Sequence, residues 1–90
     1  MLYLTPLVLA IWIMDDGTYN KPGVRIATNN FSYAEHLVLI KLLLLKYNIV
    51  ATIHKNASQY QLYIKVESMP ILIDLVLPYF HKSMLYKLGK

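Results

Sequence analysis

The sequence predicts an α+β fold in which a four-stranded antiparallel sheet carries helices on one of its faces. Three observations predict it. The 90 residues have room for one domain, residues 1–90. Turn signals divide the chain into helix, two strands, helix, two strands, helix and a short final helix. Residues 59–66 alternate between Gln, Tyr or Lys on one side and Tyr, Leu, Ile or Val on the other, which is the pattern of a strand with one polar and one buried face.

The first half of the chain is divided by proline, aspartate and glycine. Pro6 begins an apolar run that extends to Met14, and Asp15-Asp16-Gly17 stops it. Proline in the first turn and glycine just past the end are typical of a helix. The segments 18–21 and 24–28 flank a Pro-Gly pair and therefore predict a hairpin.

The second half contains two further helices and a second strand pair. Ser32-Tyr33-Ala34-Glu35 is a capping box, and it predicts a helix of about four turns that ends at Tyr47. Strands are expected over residues 49–55 and 59–66, joined by a turn at residues 56–58. Ser68 is expected to cap a third helix, which ends before Pro78, and residues 83–88 to form a short helical tail.

The chain is more apolar than a small soluble domain requires. Hydrophobic residues make up 57% of it and the mean hydropathy is +0.41, which suggests that apolar surface is buried against a partner. A membrane span needs about 20 uninterrupted apolar residues. The three apolar runs are interrupted by Pro6, Lys41 and Asp74, so no membrane association is expected. No signal peptide is expected either, since no basic residue precedes the first run.

The charge balance fits a polyanionic partner. The formal net charge is +4, and two of the five acids are the neighbours Asp15 and Asp16, so the rest of the surface is more basic than the total suggests. The polar side of the sheet is expected to contain almost no acid; its expected residues are Arg25, Thr52, His54, Gln59, Gln61, Tyr63 and Lys65. The chain has no cysteine and no histidine pair with metal-ligand spacing, so no zinc site is expected.

One motif carries a resemblance to a known family. Leu9 to Gly17 read LAIWIMDDG, which resembles the LAGLIDADG motif in its LAxWxMDDG variant. Other segments of the chain resemble the same family in the same order: Leu4-Thr5-Pro6, Ala27-Thr28-Asn29, Thr52-Ile53-His54-Lys55, Tyr60-Gln61-Leu62-Tyr63-Ile64 and Met84-Leu85-Tyr86-Lys87-Leu88-Gly89. Ile11 replaces the glycine of the family motif. The chain thus resembles a single-motif half of an organellar, intron-encoded LAGLIDADG homing endonuclease.

The resemblance implies a fold, an activity and a site. Two motif helices pack side by side, and each delivers one acidic residue from its C-terminal end to a shared Mg²⁺ site. The two sheets form a saddle in the DNA major groove, and both DNA strands are hydrolysed. Asp16 is the expected metal ligand, and Asp16 and Lys87 are the expected catalytic residues. Leu9, Ala10 and Ile13 are expected to contact the partner helix.

The resemblance also assigns a nucleic-acid-binding role to the polar side of the sheet. Arg25 is the best candidate for a guanine contact because its forked guanidinium matches two acceptors on that base. Asn20, Gln59 and Gln61 are expected to act as flexible readers. The full expected set is Asn20, Lys21, Arg25, Thr52, His54, Lys55, Gln59, Gln61, Tyr63 and Lys65. His36 is expected to be a packing residue of the second helix.

One motif makes half an enzyme, so two hypotheses remain. The first is a sequence-specific, metal-dependent DNA endonuclease half that pairs with a second LAGLIDADG half, as a homodimer or with a split partner. The second is a domesticated RNA binder that no longer cleaves, either an intron maturase or a structural subunit bound to ribosomal RNA. Asp16 and Lys87 favour the first hypothesis, and the single motif favours the second. The branch that the chain resembles predicts a mitochondrial location.

Overall fold

The computed structural model describes residues 4–28, 31–56 and 59–90. The helices and strands are α1 Pro6–Asp16, β1 Gly17–Asn20, β2 Gly23–Ala27, α2 Tyr33–Tyr47, β3 Ala51–Asn56, β4 Gln59–Ile64 and α3 Met69–Val76. Three 3-10 helices follow β4 and α3: Val66–Ser68, Leu77–Tyr79 and Lys82–Leu88. The predicted fold class and element order are confirmed. None of the helices in this described part of the chain has the length and apolar character that a bilayer crossing requires.

The four strands form one antiparallel sheet in the order β1-β2-β4-β3. The two central strands pair Val24 with Ile64 and Ile26 with Leu62. All four of these side chains are fully buried. Because directly paired residues point to the same side of a sheet, they define its core face.

The helices pack on this core face. Leu9 and Ile13 of α1, Leu43 of α2, and Leu72 and Val76 of α3 are fully buried in one cluster with the apolar side chains of β2 and β4. Each helix therefore contributes its buried stripe to a single core. The side of the sheet away from this core is the one on which the sequence places polar residues.

α1 ends two residues later than the sequence predicts. Thr5 caps its start, since the threonine hydroxyl accepts a hydrogen bond of 3.2 Å from the Val8 N–H. At the other end the Gly17 N–H still donates to the carbonyl oxygen of Ile13, so both aspartates belong to the last helical turn. A Cβ at position 17 would lie 2.6 Å from that carbonyl oxygen. Gly17 therefore allows the chain to pass from α1 directly into β1.

The capping box of α2 is confirmed. The Ser32 hydroxyl accepts a hydrogen bond of 3.1 Å from the Glu35 N–H, and the Ser32 N–H donates one of 2.8 Å to the Glu35 carboxylate. The helix ends at Tyr47, as predicted. Asn48 terminates it in the left-handed region with φ +57°, a conformation that asparagine tolerates better than most residues.

Glu35 is expected to make α2 more stable at neutral than at acidic pH. The Ser32 N–H, then the Ser32 hydroxyl, and the nearby His36 hold the pKa of Glu35 below its usual 4.5. A lowered folded-state pKa gives stability that is present above pH 4.5 and is lost as the pH falls through the lowered value. Ser32→Ala removes the hydroxyl, so the Glu35 pKa should rise towards 4.5. An NMR titration of the Glu35 carboxyl in both proteins checks this, and an identical pKa in the variant would contradict it.

His36 joins α2 to the sheet as well as packing beneath it. The imidazole is fully buried, as predicted, and its Nδ1 donates to the carbonyl oxygen of Ser32 at 2.7 Å. Its Nε2 lies 2.5 Å from the Thr28 hydroxyl, which also lies 3.1 Å from the carbonyl oxygen of Tyr60. This chain of polar contacts connects the start of α2 to the end of β2 and to β4.

The sequence-based boundaries are wrong around residues 64–68. β4 ends at Ile64, so Val66, predicted to be buried in a strand, begins a 3-10 helix and is 47% exposed. Ser68 makes no capping bond to α3, because the 3-10 helix holds it in a helical conformation (φ −93°, ψ −5°) and a capping residue needs an extended one. Its hydroxyl instead accepts a hydrogen bond of 2.8 Å from the Val50 N–H. Ala57 and Ser58 of the predicted turn, and Asn29 of the segment 27–29, lie outside the described residues.

Candidate nucleic-acid interface and the acidic end of the first helix

One side of the sheet gathers most of the residues predicted to bind nucleic acid. Arg25 pairs with Tyr63, Tyr63 also pairs with Thr52, and His54 pairs with Gln61. These pairs alternate with the buried pairs of the core, so they point to the opposite side. We call this side the polar face; its predicted residues are Asn20, Arg25, Thr52, His54, Gln59, Gln61, Tyr63 and Lys65, the last of which follows β4 in extended conformation.

The polar face is basic because it carries Arg25 and Lys65 and because no acid lies on any of the four strands. The strand sequences GTYN, GVRIA, ATIHKN and QYQLYI contain no aspartate or glutamate. The five acids of the chain lie on helices: Asp15 and Asp16 on α1, Glu35 on α2, Glu67 on the 3-10 helix after β4, and Asp74 on α3. A surface of this kind attracts a polyanion.

Arg25 lies at the centre of the polar face and is held by two neutral amides. Its Nη1 donates a hydrogen bond of 3.2 Å to the Gln61 side-chain oxygen. The Asn20 side chain can form hydrogen bonds with the guanidinium only when its amide oxygen faces Arg25. In that orientation the oxygen accepts one hydrogen bond from Nε at 3.0 Å and one from Nη2 at 3.2 Å. The three side chains come from β2, β4 and β1, so strand pairing sets their relative positions.

An aromatic pair lies beside Arg25. The rings of His54 and Tyr63 have centroids 5.0 Å apart and are tilted by 36°. His54 Nε2 also lies 3.1 Å from the Thr52 hydroxyl. Tyr63 extends across to β2, since a Cβ at Gly23 would meet the tyrosine hydroxyl. Gly23 thus makes room for a ring that lies beside Arg25 on the polar face.

Two of the predicted lysines lie away from the polar face. Lys21 is exposed in the turn between β1 and β2. The placement of Lys55 on the polar side of the sheet is wrong. Lys55 pairs with Tyr60, which shares the core side of β4 with Leu62, and its Nζ lies 5.7 Å from the centre of the Tyr60 ring. The alternation of β3 turns this side chain to the helix side of the sheet.

The acidic end of α1 and a basic residue from the end of the described chain come together. Asp15 and Asp16 are both exposed in the last turn of α1. The half-buried Lys87 donates a hydrogen bond of 2.6 Å from its Nζ to the carbonyl oxygen of Met14. Acids at a helix C-terminus are disfavoured by about 0.3–1 kcal/mol, and a cation there is favoured by a similar amount. Lys87 therefore offsets the unfavourable placement of the aspartates.

The position of Lys87 is fixed by the packing of its own 3-10 helix. Leu88 is buried in the core, and Gly89 ends the helix in the left-handed region with φ +79°. A Cβ at position 89 would lie 2.6 Å from an atom of the Tyr19 ring on β1. Only glycine combines that conformation with that close approach. The contact between Gly89 and Tyr19 directs Lys87 towards the end of α1.

Asp16 is the residue that the sequence predicts as a metal ligand. Within residues 4–28, 31–56 and 59–90, no three groups among the histidines, aspartates and glutamates lie together as a metal centre would need. Asp16 presents an exposed carboxylate, and Mg²⁺ is commonly held by one or two protein carboxylates with its remaining positions filled by water. This oxygen chemistry fits Mg²⁺ if a second carboxylate comes from another chain or another domain.

The residues predicted to contact a partner helix lie inside the protein, so that assignment is corrected. Leu9, Ala10 and Ile13 are fully buried in the core of the chain itself. The exposed apolar residues of α1 are Leu7 (47%), Val8 (40%) and Ile11 (45%). Their spacing of one and four residues puts them on the outer side of the helix, and we call these three the outer stripe of α1. No pattern in the sequence distinguishes the buried from the exposed side, because α1 is apolar all round.

Comparison with known proteins identifies relatives of the chain. The model of the LAGLIDADG DNA endonuclease family matches residues 1–72. The cytochrome b mRNA maturase bI2 of Debaryomyces hansenii is 49% identical over 89 residues, which are 97% of this chain and 34% of that protein. The intron-encoded endonuclease ai4 of Dictyostelium discoideum is 45% identical over 89 residues, which are 97% of this chain and 56% of that protein.

A solved structure extends the comparison to the fold. The homing endonuclease I-WcaI bound to its DNA recognition sequence superimposes with a TM-score of 0.88 at 34% identity, over 96% of this chain and 41% of that one. The chain therefore spans about a third to just over half of the length of these three proteins.

Proposed function

The chain belongs to the LAGLIDADG DNA endonuclease family, and from this premise we propose that it is one half of a sequence-specific DNA endonuclease. The activity is metal-dependent hydrolysis of phosphodiester bonds after pairing with a second LAGLIDADG half. One observation carries the proposal: the hydrogen bond from Lys87 to the Met14 carbonyl, which brings a basic side chain to the helix end that bears Asp16. The family matched and the DNA bound to I-WcaI support double-stranded DNA as the substrate.

Each part of the proposed site has a role that follows from its chemistry. The Asp16 carboxylate would hold one side of the Mg²⁺ ion. When bound, the ion supplies positive charge for the attacking and leaving oxygens of the displacement. Lys87 adds a cation close to the scissile phosphate, where it stabilises developing negative charge or polarises the attacking water. The polar face binds the major groove and selects the base pairs.

The second half of the enzyme supplies the missing carboxylate, and we place the contact on the outer stripe of α1. This stripe lies on the helix that ends in Asp16, so two halves joined along it would bring their acidic ends together. A homodimer would favour a near-palindromic DNA site, because the two-fold axis of the protein is mirrored in the sequence that it reads. A split partner would read two unlike half-sites.

Ile11→Lys is expected to abolish pairing and leave the fold of the chain intact. Ile11 is 45% exposed, so the lysine reaches solvent in the unpaired chain. In the paired state its charge would be buried without a counter-ion. Sedimentation equilibrium measures self-association, and co-purification measures pairing with a separate half. Leu45→Lys is the matched control, since Leu45 is 71% exposed on α2 and should tolerate the change. Equal pairing of the two variants would remove the outer stripe from the interface.

A non-cleaving RNA binder is the second candidate. The observation that favours it is the 49% identity with a cytochrome b mRNA maturase over almost the whole of this chain. In that case the polar face binds structured intron or ribosomal RNA, and Asp16 and Lys87 keep only structural contacts. We propose the mitochondrion as the location for both candidates; the support is a relative named as a maturase of cytochrome b mRNA, since cytochrome b is a mitochondrial product.

Recovery of the bound nucleic acid from cells separates the two candidates. The chain is tagged in its source, crosslinked, and purified with whatever nucleic acid and protein accompany it. We expect one DNA locus together with a second copy of the chain or another LAGLIDADG half. Recovery of intron or ribosomal RNA without such a locus would establish the RNA-binding candidate instead.

A further inference from the structure

We propose that Asn20 and Gln61 are positioning residues that orient Arg25 towards one guanine of the target, and that they do not read bases independently. This proposal rests on the proposed DNA-binding function. It departs from the expectation drawn from the sequence, which treats the two amides as flexible readers. The three side chains form one unit, and we call it the Arg25 clamp.

The clamp engages every nitrogen of the guanidinium and still leaves two donors. The Asn20 side-chain oxygen accepts one hydrogen bond from Nε and one from Nη2, and the Gln61 side-chain oxygen accepts one from Nη1. Arginine has five N–H groups, so one N–H on each of the two terminal nitrogens remains. A bidentate contact with O6 and N7 of guanine requires two donors. The clamp therefore leaves the number of donors that this contact needs.

Neutral amides orient Arg25 without cancelling its charge. A carboxylate in either position would form an ion pair, and this pair would reduce the attraction of the polar face for a polyanion. Amide oxygens accept the same hydrogen bonds and leave the full positive charge available. Because the side chain is already held in one conformation, less rotamer entropy is lost when it meets a base. Fixed orientation and retained charge together are the properties of a specificity-determining arginine.

The clamp also limits what Gln61 can do. A glutamine that reads adenine uses both its side-chain oxygen and its side-chain nitrogen on the same base. The Gln61 oxygen already accepts from Arg25 at 3.2 Å. An adenine contact would compete with this hydrogen bond, so Gln61 acts through the orientation of Arg25.

Selection from a randomised DNA duplex library tests the clamp. The chain in complex with its second half, and the same complex with Asn20→Ala, Gln61→Ala or Arg25→Lys in this chain, are each used to select duplexes, which are then sequenced. We expect the three variants to lose preference for G at the same base pair, by about 5- to 150-fold if the contact is bidentate. In the Arg25→Lys background, Asn20→Ala should cause no further loss of the preference for G, because lysine has no guanidinium for Asn20 to orient. None of the three variants changes the formal charge of the chain, so a lost preference cannot come from a weaker attraction to the polyanion.

Two results would overturn the proposal. If Asn20→Ala or Gln61→Ala changed the preference at a different base pair and added to Arg25→Lys, the amides would be independent readers, although the DNA-binding function would stand. If the unaltered chain, in complex with its second half, selected no duplex, both the clamp and the DNA-binding function would fail. NMR of the Arg25 guanidinium in the free protein provides a second measurement. We expect restricted rotation that either alanine variant releases, and free rotation in the unaltered chain would overturn the clamp without any DNA.

Discussion

Replacing Asp16 with asparagine is expected to abolish DNA cleavage by the paired enzyme while leaving its fold and its DNA binding unchanged. Asparagine has nearly the shape of aspartate, and position 16 is exposed at the end of α1, so the change costs the protein little stability. It replaces a charged ligand with a neutral one at the proposed metal site. Because the ion supplies several kcal/mol of charge stabilisation, cleavage should fall about a thousandfold or more. Single-turnover cleavage of a saturating DNA duplex measures the loss.

Asp15→Asn is the matched control for this experiment. Asp15 is the preceding residue, is also exposed, and lies about 100° away around the helix axis. The same charge is lost in both variants, so any effect of net charge on DNA binding is shared. We expect Asp15→Asn to retain cleavage. Unchanged cleavage by Asp16→Asn, or equal losses in both variants, would remove Asp16 from its proposed role.

Lys87→Met is expected to slow cleavage by about 100- to 1000-fold, the range observed when one stabilising donor is removed from a catalytic site. Methionine keeps most of the apolar stem and removes the charge. The variant also loses the hydrogen bond to the Met14 carbonyl, which should cost about 1 kcal/mol of folding stability. Both quantities are therefore measured: the cleavage rate at saturating DNA and the free energy of unfolding.

Lys82→Met separates the two contributions of Lys87. Lys82 is exposed at the start of the same 3-10 helix, so its replacement removes an equal charge without the contact at the end of α1. We expect this control to cleave at the unaltered rate. If Lys87→Met lowered stability but cleaved as fast as Lys82→Met, Lys87 would be a structural residue that anchors the last 3-10 helix.

The elements that the sequence predicts well are those specified by neighbouring residues. The capping box at Ser32 and Glu35 requires only a spacing of three, and it begins α2 as expected. β4 follows from the alternation of Leu62 and Ile64 with their polar neighbours. Local signals of this kind predict an element without any knowledge of its tertiary contacts.

The predictions that failed depend on contacts between distant residues. α1 is apolar all round, so only its packing on the sheet decides that Leu9 is buried and Ile11 is exposed. Ser68 has the residue type of a cap, but the 3-10 helix before α3 turns its hydroxyl to Val50. The family resemblance assigns Lys55 to the polar side of the sheet, whereas strand register places it on the other side.

For the candidate site, the sequence predicts which residues take part and does not predict how they are arranged. The motif resemblance identifies Asp16 and Lys87 individually, 71 positions apart in the chain. Their approach at one helix end depends on the packing of Gly89 against Tyr19, which no local pattern reveals. The clamp around Arg25 is likewise visible only once three strands are paired.

Pairing along the outer stripe of α1, as proposed above, would make folding of this chain sensitive to dilution. A chain of this size buries only about 60% of its unfolded surface by itself, so its intrinsic margin of stability is small. A second half that binds only the folded state adds stability by mass action, and the melting temperature then rises with protein concentration. Such a chain would be folded in a concentrated sample and would lose structure as the sample is diluted, at constant temperature and without denaturant.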